Sequence, residues 1–110
     1  MKNLSSQKPF LMISTTANRR EAEVIAEKLL RGKLAACVNV VYPAKSLFWW
    51  KGKLEKAREA ILLIKTTRSK IKPIERKIQK LHSYENPEII ALEIKAGSKS
   101  YLNWVRNSVR

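Results

Sequence analysis

The chain has 110 residues, enough for one domain and too few for two independent cores. A 45% hydrophobic content with three Gly and four Pro excludes a disordered tail, a collagen-like repeat and a Gly/Ser linker. Lys and Arg number 23 against nine acids, a formal net charge of +14, and every acid is Glu. One Cys excludes an intrachain disulfide framework and any multi-Cys zinc or iron–sulfur site, and one His excludes a His-pair metal site within one chain.

Residues 1–8 are polar and lack the apolar stretch of a signal peptide, so they are expected as a flexible extension ahead of a single domain over 9–110. No run approaches the roughly 18 apolar residues that cross a bilayer, and no membrane partner is expected. A free thiol without an export signal points to the cytoplasm.

The apolar, β-branched run 10–16 predicts a buried strand. Asn18 is placed to cap a helix, with Glu21 three residues on as in a capping box. Ala22, Ile25, Ala26 and Leu29 then recur at helical spacing, and Gly32 falls where a glycine ends a helix. Residues 34–41 predict a second strand, interrupted by Pro43. Extended structure resumes at 46–50, residues 51–53 have turn chemistry, and 60–67 form a strong strand. Together 34–67 read as one long antiparallel ribbon, bent near Pro43.

A second helix is predicted over 69–81, with Ile71, Ile74, Ile78 and Leu81 on one face and Pro73 tolerated in the first turn. Residues 88–94 predict a last strand, and Ser98 or Ser100 caps a short terminal helix. The order β-α-β-β-α-β-α predicts an α+β, ferredoxin-like sandwich: one antiparallel sheet with helices on one face, a long bent ribbon and an extra C-terminal helix.

Strands with little polar alternation need cover on both sides. Trp49 and Trp50 are neighbours in an extended ribbon, so they point to opposite faces and cannot both enter one core. Exposed Trp side chains and an uncovered apolar sheet predict an oligomer.

The basicity is spread along the chain. The second helix carries Lys70, Lys72, Arg76, Lys77 and Lys80 on its polar positions, with Glu75 as its only acid. Such a face is either solvated or binds nucleic acid non-specifically at low salt. Specific RNA reading is not expected, because strands 10–16 and 60–67 offer only Phe10 for base stacking. Acylphosphatase-like chemistry is not expected either, because residues 14–19 contain no Gly to build a phosphate loop. No nucleophile–His–carboxylate set stands out, and the chain reads as a non-enzyme.

The words Lys33-Leu34-Ala35-Ala36-Cys37-Val38-Asn39, Phe48-Trp49-Trp50-Lys51-Gly52-Lys53-Leu54, Glu59, Lys65-Thr66, His82-Ser83-Tyr84-Glu85-Asn86-Pro87-Glu88 and Tyr101-Leu102-Asn103-Trp104 resemble the CutA family of divalent-cation tolerance proteins in order and spacing. The resemblance runs from Phe10 to the end of the chain. It implies a tight homotrimer whose ribbons pair edge to edge, with Trp49, Trp50 and Trp104 at the subunit interface. It also implies a role in tolerance of copper or another divalent cation, and a trimer similar to PII signalling proteins. That similarity leaves a small-ligand signalling role open as the alternative.

Copper-binding members of the family have Cys where this chain has Ser14, and His where it has Leu81. The expected cation ligands here are His82, Cys37 and Glu85, since imidazole and thiolate suit copper. His82 also fits a helix C-terminus, where the helix dipole favours a cation. Cys37 also reads as a small core residue. Trp50, Glu59, Lys65 and Tyr84 are expected to line the cleft between subunits.

Overall fold

The computed structural model describes residues 4–110. A 3-10 turn at Leu4–Gln7 leads into β1 (Pro9–Thr16), α1 (Arg19–Arg31), β2 (Cys37–Trp50) and β3 (Lys53–Thr67). A second 3-10 turn, Arg68–Lys70, opens into α2 (Ile71–Leu81), followed by β4 (Ile89–Glu93) and α3 (Lys99–Ser108). The four strands form one antiparallel sheet in the order β2-β3-β1-β4, the ferredoxin-like arrangement that the element order predicts. Of the expected extension, residues 1–3 lie outside the described residues. Residues 4–7 form a turn instead, tied to the domain by the Arg68 guanidinium donating to Ser5 at 2.7 Å.

Strand alternation decides where the core sits. Met12 of β1 and Ala60, Leu62 and Ile64 of β3 are buried on the face that meets Ala22, Ile25, Ala26 and Leu29 of α1 and Ile74 and Ile78 of α2. Each buried Met, Leu or Ile side chain among them contributes about 1.5–3 kcal/mol of transfer free energy, so the two helical stripes fix α1 and α2 to one face. The opposite face presents Leu11, Ile13, Ile61, Leu63, Val41, Ile90 and Leu92, of which Ile90 and Leu92 are each 48% exposed. Helix α3 covers one end of that face: Val105 is fully buried outside the main core cluster, and Tyr101 meets Cys37.

Several local expectations are corrected. Asn18 caps α1 by accepting the Glu21 backbone N–H at 2.8 Å, but the Glu21 side chain does not return the bond and reaches Ser83. Gly32 has φ −81°, and the left-handed residue that closes α1 is Lys33, at φ 59°. The Leu34 N–H then bonds the Leu29 carbonyl and the Lys33 N–H the Leu30 carbonyl, both at 3.0 Å, which is the paired closure of a Schellman motif. Strand β2 begins at Cys37 rather than 34, although the Ala36 N–H already bonds the Lys65 carbonyl. Pro43 does not end it. A bulge between Val41 and Ala44 absorbs the proline, which follows a cis peptide bond, and pairing continues to the tip. The second helical segment starts as a 3-10 turn at Arg68, so Pro73 falls at the third position of α2.

At the tip, Lys51 and Gly52 both have positive φ, 50° and 78°, and join Trp50 to Lys53 in a two-residue hairpin turn. The molecule measures 50 × 26 × 21 Å, and the ribbon makes it long. Trp49 is 74% and Trp50 52% exposed there, with Leu47, Phe48 and Leu54 also bare.

A lysine in the left-handed region is strained by about 1 kcal/mol relative to glycine. Lys33→Gly is expected to raise the unfolding free energy by about that amount in urea titrations, with the slope of the transition unchanged.

Candidate functional site: the His82–Tyr84 loop

Helix α2 ends at His82, whose backbone turns extended (φ −77°, ψ 142°) while its N–H still bonds the Ile78 carbonyl at 2.9 Å. That turn drives the imidazole inward, where its side chain is 0% exposed. The Tyr84 backbone N–H donates to Nδ1 at 2.9 Å. An amide can only donate, so Nδ1 is the acceptor and Nε2 carries the proton, which it donates to the Thr15 carbonyl at 2.7 Å. Both ring nitrogens are therefore committed to backbone groups. The Glu21 carboxylate lies 3.6 Å from Nδ1 without a bond to it, and accepts two bonds from Ser83, one from the N–H at 2.7 Å and one from the hydroxyl at 3.0 Å.

Tyr84 continues the chain of contacts. Its ring lies 4.8 Å from that of His82, and its hydroxyl donates to Glu59 Oε2 at 2.8 Å. Glu59 is itself buried on β3. Burial, the bond to Glu59 and the negative charges of Glu59 and Glu21 push the Tyr84 hydroxyl up to about 12. Glu88, further along the loop, is raised by partial desolvation and by Glu59. The loop from 82 to 88 thus joins the start of α1, the end of β1 and the middle of β3.

Of the residues expected in the cleft, the protomer brings together Glu59 and Tyr84 only. Lys65 lies six residues along β3 from Glu59 and Trp50 sits at the ribbon tip, each about 20 Å away at strand spacing. Lys65 instead donates to Asn39 and pairs in register with Cys37. Trp104 is 47% exposed on α3 and stacks against Tyr101, with ring centroids 5.5 Å apart.

The expected ligands His82, Cys37 and Glu85 do not converge within one protomer. Cys37 lies across β3 from Leu11, and His82 bonds Thr15, four residues or about 13 Å further along β1. Among the described residues no group of three or more His, Cys, Asp or Glu side chains is placed to hold a metal. Within one protomer the residues do not fit a divalent-cation centre. Cys37 is also not a core residue: it is partly exposed, meets Tyr101, and its Sγ makes a weak 4.0 Å contact with Asn39. Ser14 has a buried hydroxyl without a hydrogen-bond partner. On the basic face, Lys72 pairs with Glu75 at 3.5 Å, whereas Lys70, Arg76, Lys77 and Lys80 have no ion pair among the described residues.

Sequence reasoning missed the roles of Glu21 and Thr15. Each acts on a residue more than 60 positions away, and nothing local marks them.

His82→Ala removes a buried ring and leaves the Thr15 carbonyl and the Tyr84 N–H without partners, an expected loss of about 2–3 kcal/mol in chemical unfolding. The raised Tyr84 hydroxyl contributes stability that is complete below about pH 10 and lost as pH rises toward 12. An absorbance titration of tyrosinate is expected to show a component near 12 that Tyr84→Phe abolishes.

Residues 10–108 match the family model described as CutA1 divalent ion tolerance protein. The divalent-cation tolerance protein CutA of Archaeoglobus fulgidus is 43% identical over 95 residues, covering 86% of this chain and 92% of that one. Protein CutA 1, chloroplastic, of Oryza sativa is 38% identical over 111 residues, all of this chain but only 63% of the rice protein. The crystal structure of CutA1 from Oryza sativa superposes with a TM-score of 0.92 at 36% identity, covering 96% of this chain and 97% of that one. The match runs through the ribbon, the His82–Tyr84 loop and α3 alike, and on this evidence the chain belongs to the CutA1 divalent-ion tolerance family.

Proposed function

We propose that the chain acts as a non-enzymatic homotrimer in the cellular response to copper or another divalent cation. The observation that carries this reading is the apolar surface the protomer leaves bare. It comprises the open sheet face with Ile90, Leu92 and Val41, and the ribbon with Leu47, Phe48, Trp49, Trp50 and Leu54. A surface this apolar, flanked by the pairing edges of β2 and β4, is what a subunit interface requires. Trp49, Trp50 and Trp104 are its anchors. Assembly also supplies the way for Trp50 and Lys65 to approach the Glu59–Tyr84 pair, by bringing them from a neighbouring copy.

The cation follows the same logic. No ligand set closes within one protomer among the described residues, and the His82 ring has no free nitrogen. The donors left open are the partly exposed Cys37 thiol and Glu85, and a cation meets them where copies adjoin. Each protomer carries a net charge of +14, which disfavours tight capture of free cations and supports a weak, responsive site. The partly exposed free thiol is consistent with a cytoplasmic setting.

Native mass spectrometry at micromolar concentration, with and without slightly more than one equivalent of copper, tests the reading. The expected result is three copies per particle, with copper retained by the wild type and lost in Cys37→Ser and Glu85→Gln. A monomeric mass contradicts the assembly. A trimer whose copper content is the same in all three proteins contradicts the ligand assignment.

A further inference from the structure

A cavity of about 250 Å³ lies between the start of the α2 segment and the end of the chain, far from the Glu59–Tyr84 pair. Thr67, Ser69 and Lys70 line one side, and Arg106, Val109 and Arg110 the other. Lys70 from the start of the α2 segment and Arg106 and Arg110 from the C-terminal stretch therefore line one cavity, and no glutamate lines it. We propose that this cavity binds a phosphoryl anion, with Lys70, Arg106 and Arg110 supplying the charge and the hydroxyls of Thr67 and Ser69 supplying further donors.

The Arg106 guanidinium is already oriented. Its Nε donates to the Gln7 carbonyl at 3.2 Å and its Nη1 to Asn103 Oδ1 at 2.8 Å. Both acceptors are neutral, so the charge stays uncompensated, and Nη2 has no bond among the described residues. A planar donor fork fixed in this way matches a tetrahedral oxyanion and costs little further ordering. Lys70 and Arg110 likewise have no ion pair among the described residues. The nearby carboxylate of Glu93 is taken by Lys8 at 3.9 Å and Arg68 at 3.7 Å. Thr67 and Ser69 share a 3.4 Å hydrogen bond between their hydroxyls at the cavity wall, which leaves one hydroxyl hydrogen able to turn toward an anion.

Two sources share this chemistry: a small phosphate ester, or a nucleic-acid backbone that then runs along Arg76, Lys77 and Lys80 on α2. The full chain is titrated with inorganic phosphate by calorimetry at low ionic strength, and then with a short DNA duplex. The inference expects saturable phosphate binding at one per protomer, weakened at least tenfold in Lys70→Met/Arg110→Met and unchanged in Lys77→Met. Circular dichroism of each variant confirms the fold. Arg106→Gln, which keeps a donor for Gln7, is expected to weaken phosphate binding equally. Duplex that displaces phosphate, and loses affinity in the double variant, identifies a polynucleotide as the source. Duplex that leaves phosphate bound identifies a free phosphate ester. Phosphate binding that is absent, or equally reduced in Lys77→Met, overturns the inference.

Discussion

A sheet has two faces, and this chain provides helices for one of them. Strand β1 is paired on both edges, by β3 and β4, so its alternating side chains meet one layer of protein and one of solvent. Met12 reaches the packed helices, while Leu11 and Ile13 point to the face that only α3 covers, and only at one end. The open face follows from composition. Strands β1, β3 and β4 carry aliphatic residues at positions where a half-exposed sheet carries polar ones. The oligomeric reading follows from that imbalance together with the exposed tryptophans of the ribbon.

The His82–Tyr84 loop has the opposite character, because nearly every polar group in it is satisfied internally. One imidazole joins the end of β1 to the loop backbone, Glu21 holds Ser83, and Glu59 holds Tyr84. The residue most suggestive of metal chemistry is thus a structural tie. Its two nitrogens are bonded to backbone, and metal coordination would require breaking one of those bonds. A histidine read from sequence carries the same letter in either role. The distinction lies in the neighbours of its two nitrogens.

Local periodicity carried much of the fold. The stripe Ala22, Ile25, Ala26 and Leu29, the Asn18 cap and the ribbon's turn at 51–53 are short-range features, and the structure places them as their spacing requires. The failures arise where a residue serves something distant. Glu21 left the capping box because Ser83, 62 residues away, offered it two bonds. Lys33 rather than Gly32 took the left-handed position because the last turn of α1 closes one residue later than the glycine suggests. Cys37 read as core because a cysteine in an apolar word behaves as a small hydrophobe, whereas strand alternation beside the inward-facing Val38 turns it to the other face. For the candidate site, the pairing of Tyr84 with Glu59 was visible only as two residues of one expected cleft.

The bare apolar surface of the protomer is proposed as the interface between copies of the chain. Trp49, the most exposed large apolar side chain of the described residues, reports on it most directly. Fluorescence of Trp50→Phe/Trp104→Phe leaves Trp49 as the sole indole in the protein. Burial of Trp49 between copies predicts blue-shifted emission and poor quenching by acrylamide at micromolar concentration, both lost on dilution to monomer or in denaturant. Emission and quenching equal to free indole in the native protein would contradict it.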